Sequence, residues 1–279
     1  MKKIVVTGGS GKAGRATVHE LLEHGYEVLN IDIAPPREPL SPYLAVDLMQ
    51  LGETIEALHD ADAVVHLAAN PNPHGWTEER MFRHNTTTTY NIFRAATLLK
   101  LKRVVWASSE TTLGLPFDVP PRYAPVDEDH YPFPTTTYAL SKVASETIAT
   151  HIAGWSGVPF IGLRFSNILG PADYEGFPSY WADPRARRWN LWGYFDERDA
   201  AAACRLALEA PAEGSTSYII AAADTVMNRS SAGLLEEVFP GVPLTRDVGE
   251  FESLLATGRA KEALGFVPRH SWRDHIAAP

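Results

Sequence analysis

Lys3-Ile4-Val5-Val6-Thr7-Gly8-Gly9-Ser10-Gly11-Lys12-Ala13-Gly14-Arg15 decides the fold. Lys3 to Val6 is a short β-branched run, and a helical pattern follows Gly14, so the stretch reads as strand, glycine-rich turn, helix. Glycines at 8, 11 and 14 permit a tight turn, close approach of backbone to a phosphate, and close helix–strand packing. The following helix N-terminus offers unpaired N–H groups and a positive dipole end to a pyrophosphate. A glycine string alone is weak evidence, but here an acid, Asp32, also closes the next strand, Glu27 to Asp32.

Outward from this turn, strands alternate with helices. Val18, Leu21 and Leu22 line one helical face, and Gly25 stands where a helix C-cap belongs. A third strand is expected at Tyr43 to Val46, a helix at Leu51 to His59, and a strand at Ala63 to Leu67 whose continuous apolar run fits burial on both faces of a parallel sheet. A long helix over Trp76 to Lys100 contains Thr86-Thr87-Thr88-Thr89, a run poor in helix propensity that packing must hold. Arg103 to Ala107 is the fifth strand. The alternation predicts an α/β fold, a doubly wound parallel sheet with right-handed crossovers. Six prolines between Leu115 and Pro134 mark a long loop at a strand C-terminus, a place where function often sits. A helix from Tyr138 to about Trp155 and a strand at Phe160 to Arg164 complete the pattern. Residues 1–170 are therefore expected to form the main domain. Residues 171–279, with helices near Arg198–Glu209 and Ser231–Phe239 and a strand near Tyr218–Ile220, are read as a smaller lobe, some of whose elements return to the main domain.

Composition narrows the function classes. At 45% hydrophobic and 21% charged the chain can bury a sizeable core. A net charge of −9 argues against a nucleic-acid partner or an anionic membrane surface. Cys204 is the only cysteine, so no intrachain disulfide or cysteine-based metal site can form, and no metal is expected. There is neither a signal-type stretch at the start nor a run of about 18 apolar residues, so a cytoplasmic protein is expected.

Tyr138-Ala139-Leu140-Ser141-Lys142 is the second decisive stretch. Tyr and Lys at i and i+4 share one helix face. A nearby ammonium stabilises phenolate, so the phenol is expected to fall toward working pH and to serve as a general acid/base for a carbinol or carbonyl oxygen. Such pairs arise by chance in many helices. Here Ser108-Ser109 ends the fifth strand, at the sheet edge where ligands bind.

Together these motifs resemble the extended short-chain dehydrogenase/reductases of the NAD-dependent epimerase/dehydratase family. The matching residues run through most of the chain: TGGSGKAG at 7–14, Asp32, Asp47-Leu48, HLAA at 66–69, Asn85, ASS at 107–109, Pro125-Val126-Asp127-Glu128, Tyr138 to Lys142, and LRFSNILGP at 163–171. The resemblance implies a Rossmann-type sheet with a small C-terminal substrate lobe, NAD as cofactor, and a carbohydrate substrate. It implies that Tyr138 is the catalytic acid/base, that Lys142 binds the nicotinamide ribose and lowers the Tyr138 pKa, and that Ser109 holds the reacting oxygen, with Ser108 the other candidate for that role. Gly8, Ser10, Gly11, Lys12, Ala13 and Gly14 would cradle the diphosphate. Asp32 would hold the adenosine ribose, Asp47 and Leu48 would lie against adenine, and Leu67, Ala68 and Ala69 would border the cofactor. Ser108, Phe165 and Ile168 would lie beside the nicotinamide, Asn85 near the catalytic site, and Asn70, Glu110 and Asn167 on the substrate side. In relatives the Asn85 and Tyr138 helices pack against two-fold mates, which implies a homodimer.

Some residues carry plainer readings. His66 reads as a packed strand residue rather than a base, and Asp47 also suits a helix N-cap. Trp181, Trp189, Trp192 and Tyr194 suit a sugar platform or core packing equally. The departures from the family are informative. Ser109-Glu110-Thr111 stands where dehydratases usually carry Thr-Asp-Glu, so only one carboxylate remains and dehydration is disfavoured. Leu113 replaces a Tyr often found there, which puts nucleotide-sugar contacts in doubt. The interval from Pro171 to Asp196-Glu197-Arg198-Asp199 is short for a nucleotide-sugar site. Its brevity resembles uronate dehydrogenases. Arg185, Arg187 and Arg188 within it could pair with a carboxylate or form a solvated charged face. The expected function is an NAD-dependent dehydrogenase of a small sugar or sugar acid. A nucleotide-sugar epimerase is the alternative, and an NAD(P)-binding sensor or scaffold is the alternative from another class.

Overall fold

The fold is given by a computed structural model in which residues 1–71 and 75–276 are described. In chain order come β1 (Lys3–Thr7), α1 (Lys12–Glu23), β2 (Glu27–Asp32), β3 (Tyr43–Ala45), α2 (Leu51–Leu58), β4 (Ala63–His66), α3 (Glu78–Leu98), β5 (Arg103–Ala107), α4 (Thr137–Ser156) and β6 (Phe160–Phe165). They are followed by β7 (Ile168–Leu169), α5 (Pro171–Tyr174), β8 (Phe195–Asp196), α6 (Glu197–Glu209), β9 (Ser215–Ile220), α7 (Ser231–Val238) and α8 (Gly258–Leu264). Seven strands form one parallel sheet in the order β3-β2-β1-β4-β5-β6-β9, and β7 pairs with β8 separately.

The two faces of this sheet follow from the period-2 alternation of strand side chains. Ile4, Val6, Ala63 and Val65 turn to the side covered by α1 and α6, where they meet Val18, Leu21 and Ala203. Val5, Val64 and Val104 turn to the other side, against Ile92 and Phe93 of α3 and Ile152 of α4. Both faces are covered, so β4 is fully buried, as its unbroken apolar run requires. A third cluster, with Tyr174, Phe177, Trp192, Leu235 and Trp272, is the core of the C-terminal part. Residues beyond 170 do not stand apart from the sheet: α6 lies on α1, and β9 is the seventh strand beside β6.

Several elements are held by side chains whose purpose propensity alone does not reveal. Thr77 caps α3 by accepting the Arg80 N–H. The threonine run of α3 is fixed by packing: Thr88 and Thr89 are buried, and the Thr89 hydroxyl meets His66 Nε2 at 3.2 Å. Arg103 is buried, and its guanidinium donates to the carbonyls of Ala207, Leu208 and Ala210, closing the C-terminus of α6. The proline-rich segment 115–134 buries Leu115, Phe117 and Val126 in the C-terminal core and bridges to Leu244 and Leu255. None of its residues reaches the trough described below, so its long loop supports the lobe rather than the chemistry.

At the carboxyl edge, the chain leaves β1 toward β2 on one side and returns through β4 on the other, and a crevice opens at this reversal. The glycine turn fills it closely. Gly8 has φ +68°, and a Cβ there would lie 2.7 Å from the Ala68 nitrogen. A Cβ on Gly14 would lie 2.0 Å from the Gly8 carbonyl oxygen and 2.6 Å from the Gly9 Cα. These neighbours are backbone and cannot rotate away. Gly14→Ala is therefore expected to cost about 3 kcal/mol of folding free energy, read from urea unfolding. Wild-type stability in that variant would show that the turn relaxes freely.

Candidate active site

The crevice holds a trough made of two cavities that share Leu67 and Ala69. The first, about 580 Å³, is lined by Gly8, Gly11, Asp32, Asp47, Leu48, Ala68 and Asn70 among others. The second, about 650 Å³, is lined by Lys12, Ala13, Ser108, Ser109, Glu110, Tyr138, Lys142, Phe165, Asn167, Ile168 and Trp189 among others. A larger hollow of about 750 Å³ lies between α1 and α6, lined by charged side chains such as Arg15, Glu20 and Arg205, and contains none of these residues.

At the first end, the Asp32 carboxylate accepts the N–H groups of Ser10 at 3.2 Å and Ala34 at 3.2 Å. Ser10 donates its hydroxyl to the Ala34 carbonyl, which ties the glycine turn to the end of β2. Asp47 is not the N-cap of α2, which is Gln50; its carboxylate accepts the Met49 N–H, and it stays on the cavity wall. The loop is positioned by Asn91, buried in α3, whose amide donates to the Leu48 carbonyl at 2.8 Å. Sequence reading missed Asn91, since an asparagine inside a helix carries no signal of which carbonyl it meets.

Asn85 is not on the trough wall. Its amide accepts the Asn70 N–H at 2.9 Å and donates to the Asn70 carbonyl at 3.0 Å, fixing the backbone beyond β4. Gly14 likewise lies beneath the turn, against Gly8 and Gly9. His66 is buried between the hydroxyls of Thr7, 2.7 Å from Nδ1, and Thr89. Burial, helped by the Lys142 and His84 charges, holds its pKa down at about 3, so it is a neutral packed residue.

At the second end, α4 delivers Tyr138 and Lys142 and β5 delivers the two serines. Thr136 caps α4 by accepting the Ala139 N–H at 3.1 Å. The Ser108 hydroxyl donates to Glu146 at 2.5 Å, and Glu146 also holds Arg164 by two bonds at 2.9 and 2.8 Å. Ser108 thus lines the cavity with its hydroxyl already engaged by Glu146. The Ser109 hydroxyl accepts from the Thr111 N–H and hydroxyl and faces Tyr138. The expected fall of the tyrosine pKa is not produced by the protein's own residues. Burial pushes the Tyr138 phenol up to about 12; the Ser109 hydroxyl opposes this and the Glu110 carboxylate adds to it. Lys142 lies 5.6 Å from the phenol ring centre and donates to the Ala107 carbonyl at 2.7 Å. Burial brings Lys142 down to about 8. Desolvation outweighs the attraction that the i, i+4 spacing suggested.

The aromatic and arginine-rich interval sorts itself by burial. Trp192 and Tyr194 belong to the C-terminal core, with Trp181 packed on it, while Trp189 reaches the trough. Arg185 is exposed, but Arg187 is only 8% exposed. Its guanidinium carbon lies 4.9 Å from the Trp189 ring centre and 5.4 Å from that of Tyr180, and its Nη atoms reach Asn167 Oδ1 at 3.4 Å. Beside it, Glu110 is 3% exposed, and burial pushes its carboxyl up to about 7.

The family model for the NAD dependent epimerase/dehydratase family matches residues 4–221. The chain belongs to that family. An L-arabinose 1-dehydrogenase (NAD(P)(+)) of Haloferax volcanii is 32% identical over 61% of this chain and 68% of its own length. A putative UDP-glucose 4-epimerase of Methanocaldococcus jannaschii is 30% identical over 60% of this chain, but the match spans only 56% of that protein. Among solved structures, a short-chain dehydrogenase/reductase superfamily protein from Agrobacterium tumefaciens with bound NAD superposes with a TM-score of 0.77 at 23% identity, covering 98% of this chain and 94% of that one. A mutated uronate dehydrogenase superposes with a TM-score of 0.71 at 22% identity, covering 99% and 85%.

The trough fits NAD, the cofactor of this family. Its two cavities meet at the glycine turn, where backbone approaches too closely for a side chain on Gly8, and an acid stands at one end and the Tyr–Lys pair at the other. Gly8, Gly11, Lys12 and Ala13 would hold the diphosphate and Asp32 the adenosine ribose. Among the described residues no cation pairs with Asp32 to receive a 2′-phosphate, although Arg37 is near in sequence. NAD is therefore expected to exceed NADP in kcat/KM by about tenfold or more, with Asp32→Ala narrowing the gap. Equal or better use of NADP by the wild type would refute this.

Proposed function

We propose that this protein is an NAD-dependent dehydrogenase of a small sugar or sugar acid. One observation carries the reading. The second cavity, about 650 Å³, must take the nicotinamide end of the cofactor as well as substrate, and its far side is formed by Trp189 and Asn167, with the buried Arg187 guanidinium packed against both. That leaves room for one sugar and little for a sugar carrying a nucleoside diphosphate. The buried guanidinium suits a carboxylate, which it can engage with two parallel hydrogen bonds.

In this reading Tyr138 accepts the proton of the carbinol hydroxyl that is oxidised. Ser109, whose hydroxyl can donate, holds the same oxygen as it becomes a carbonyl. Lys142 binds the nicotinamide ribose and, as an ammonium, favours the phenolate. Asn70, Glu110 and Asn167 line the substrate side, and the apolar Phe165 and Ile168 exclude water beside the ring. The bound NAD supplies a hydride acceptor at C4 of its nicotinamide. Nucleotide-sugar epimerisation would use the same Tyr138, Lys142 and Ser109, and the named relatives include both kinds of enzyme.

The reading is tested by a panel of aldoses, uronates and UDP-sugars with NAD, followed at 340 nm and by sugar analysis. NADH should form from a free aldose or uronate and not from the UDP-sugars. Micromolar binding of a UDP-sugar with no NADH from any free sugar would overturn it. Tyr138→Phe should lower turnover by about 10²–10⁴ with NAD affinity little changed, since it removes the proton carrier and keeps the shape. A near wild-type rate in that variant would refute the role of Tyr138.

We further propose a homodimer formed through α3 and α4. Tyr90 and Leu98 on α3 and Leu140 and Trp155 on α4 are exposed apolar side chains that support such an interface. Light scattering at micromolar concentration should give twice the 30.7 kDa chain mass, and a monomer would count against it.

A further inference from the structure

Two buried ionisable groups of opposite sign lie at the second cavity without pairing: Glu110 lines it, and Arg187 packs against Asn167 and Trp189, which line it. Glu110 is the first residue after Ser109 and is 3% exposed. Its Oε1 accepts from Asn190 Nδ2 at 3.3 Å; its Oε2 makes no well-aligned hydrogen bond, although the Ser166 hydroxyl lies beside the carboxyl and favours its ionised form. Arg187 engages Asn167 and the Gly193 carbonyl, and its buried Nε has no partner. No ion pair within 4.0 Å joins Arg187 to Glu110 among the described residues, yet each feels the charge of the other.

The remaining neighbours of Glu110 offer no compensating charge. On α4, Tyr138 is neutral and Lys142 is bonded to the Ala107 carbonyl. Glu146 of α4 and Arg164 of β6 are closed on one another. Ser166, after β6, and Asn190 are neutral. The charge state of Glu110 is therefore set first by its burial, then by the Ser166 and Asn190 donors and the Arg187 charge, and it responds to any charge that enters the cavity. An ionised carboxylate in a dry site needs a partner, and two carboxylates sharing one guanidinium cannot both remain ionised cheaply.

We propose that Glu110 is the specificity-determining residue of this site: it takes up one proton as an anionic sugar acid binds, so that Arg187 pairs with the ligand carboxylate alone. The proposal rests on the dehydrogenase reading for its substrate class, though not for its readout. The balance is simple. Ionised Glu110 and Arg187 sum to zero; a ligand carboxylate adds one negative charge and one proton from solvent adds one positive, and the site is neutral again with the proton on Glu110. A neutral aldose brings no charge and takes up no proton. Burial already holds the free carboxyl at about 7, so little work is needed to move the proton in.

The test uses the full-length Tyr138→Phe protein loaded with NAD, titrated calorimetrically with galacturonate and glucuronate at pH 8 in buffers of different ionisation enthalpy. Galactose and glucose serve as neutral controls, and absorbance at 340 nm is followed throughout. Uptake of about 0.9 proton per uronate is expected, and none with the aldoses, given a group titrating near 7. Above pH 7 the apparent Kd for the uronate should rise about tenfold per unit, and Glu110→Gln should abolish both effects. Arg187→Met should weaken uronate binding by about 30-fold or more while changing aldose binding less. Uronate binding without proton uptake, or uptake unchanged in Glu110→Gln, overturns the proposal, and the first measurement needs no change at Glu110. Failure of every uronate to bind also overturns it, while NADH formation by wild type from a neutral aldose would leave the dehydrogenase reading standing. Uptake without NADH from any sugar would overturn that reading and not this one.

Discussion

The structure depends on a contact between backbones. The glycine turn after β1 presses against the chain leaving β4, with Gly8 against Ala68 and Gly14 against Gly8 itself. No side chain fits between them, so the crevice at the sheet's reversal has a floor of bare peptide. The contact is pinned from beneath by hydrogen bonds in series. The Thr7 hydroxyl accepts the Ala68 N–H and meets His66, and His66 meets Thr89 of α3. One neutral imidazole thereby fixes the end of β1, the end of β4 and the middle of a helix whose own sequence favours it weakly. The same helix then locks Asn70 through Asn85 and the Asp47–Leu48 loop through Asn91.

At the opposite end of the trough, loss of solvent governs the ionisable groups. Tyr138 is pushed up, Lys142 down and Glu110 up, and burial leads in all three. Each moves toward its neutral form. A site this dry makes any charge that enters count heavily, because the effective dielectric is low and no solvent reorganises to screen it. Groups outside the chemistry are compensated instead: Glu146 holds Ser108 and Arg164 together, and Arg103 closes the end of α6. Buried polar atoms without well-aligned partners gather at this end, on Glu110 and Ser166, which line the second cavity, and on Asn190 and Arg187 beside them.

The sheet was legible because its signals are local and strong. Apolar runs of four to six residues, glycine punctuation and helical spacing are written along the chain itself, and β1, β4, β5 and α4 appear where those patterns lie. The motif residues Asp32, Ser109, Tyr138 and Lys142 likewise stand on one trough, since each is set by the end of a strand or the first turns of a helix. What spacing could not supply was the balance of opposing terms. It put Lys142 near Tyr138 without weighing burial against attraction. It could not tell Arg187 from Arg185 and Arg188, because three arginines within four positions look alike until the chain's turns decide which one points inward. The role of β9 in the sheet was hidden for a similar reason: a six-residue strand after a long irregular interval carries no mark of its neighbour.

Those turns have an identifiable cause. Leu191 and Trp192 both sit at positive φ, 54° and 58°, a conformation that side chains of this size rarely adopt. Both side chains are fully buried, and Trp192 is held through its indole N–H on the Pro184 carbonyl and its own carbonyl on the Val226 N–H. The packing of the C-terminal core over-determines the strained pair, which is the circumstance in which such strain persists. Its geometric effect is to reverse the chain immediately after Asn190, so that Asn190 reaches both Glu110 and Gly193, while the Gly193 carbonyl receives Arg187. The substrate wall is thus shaped by a hydrophobic core that touches no substrate. The proline-rich segment adds to that core through Leu115, Phe117 and Val126, and acts on the site only by holding it in place. At this junction of sheet and lobe, a strained turn thus sets the places of Asn190, Glu110 and Arg187 relative to one another.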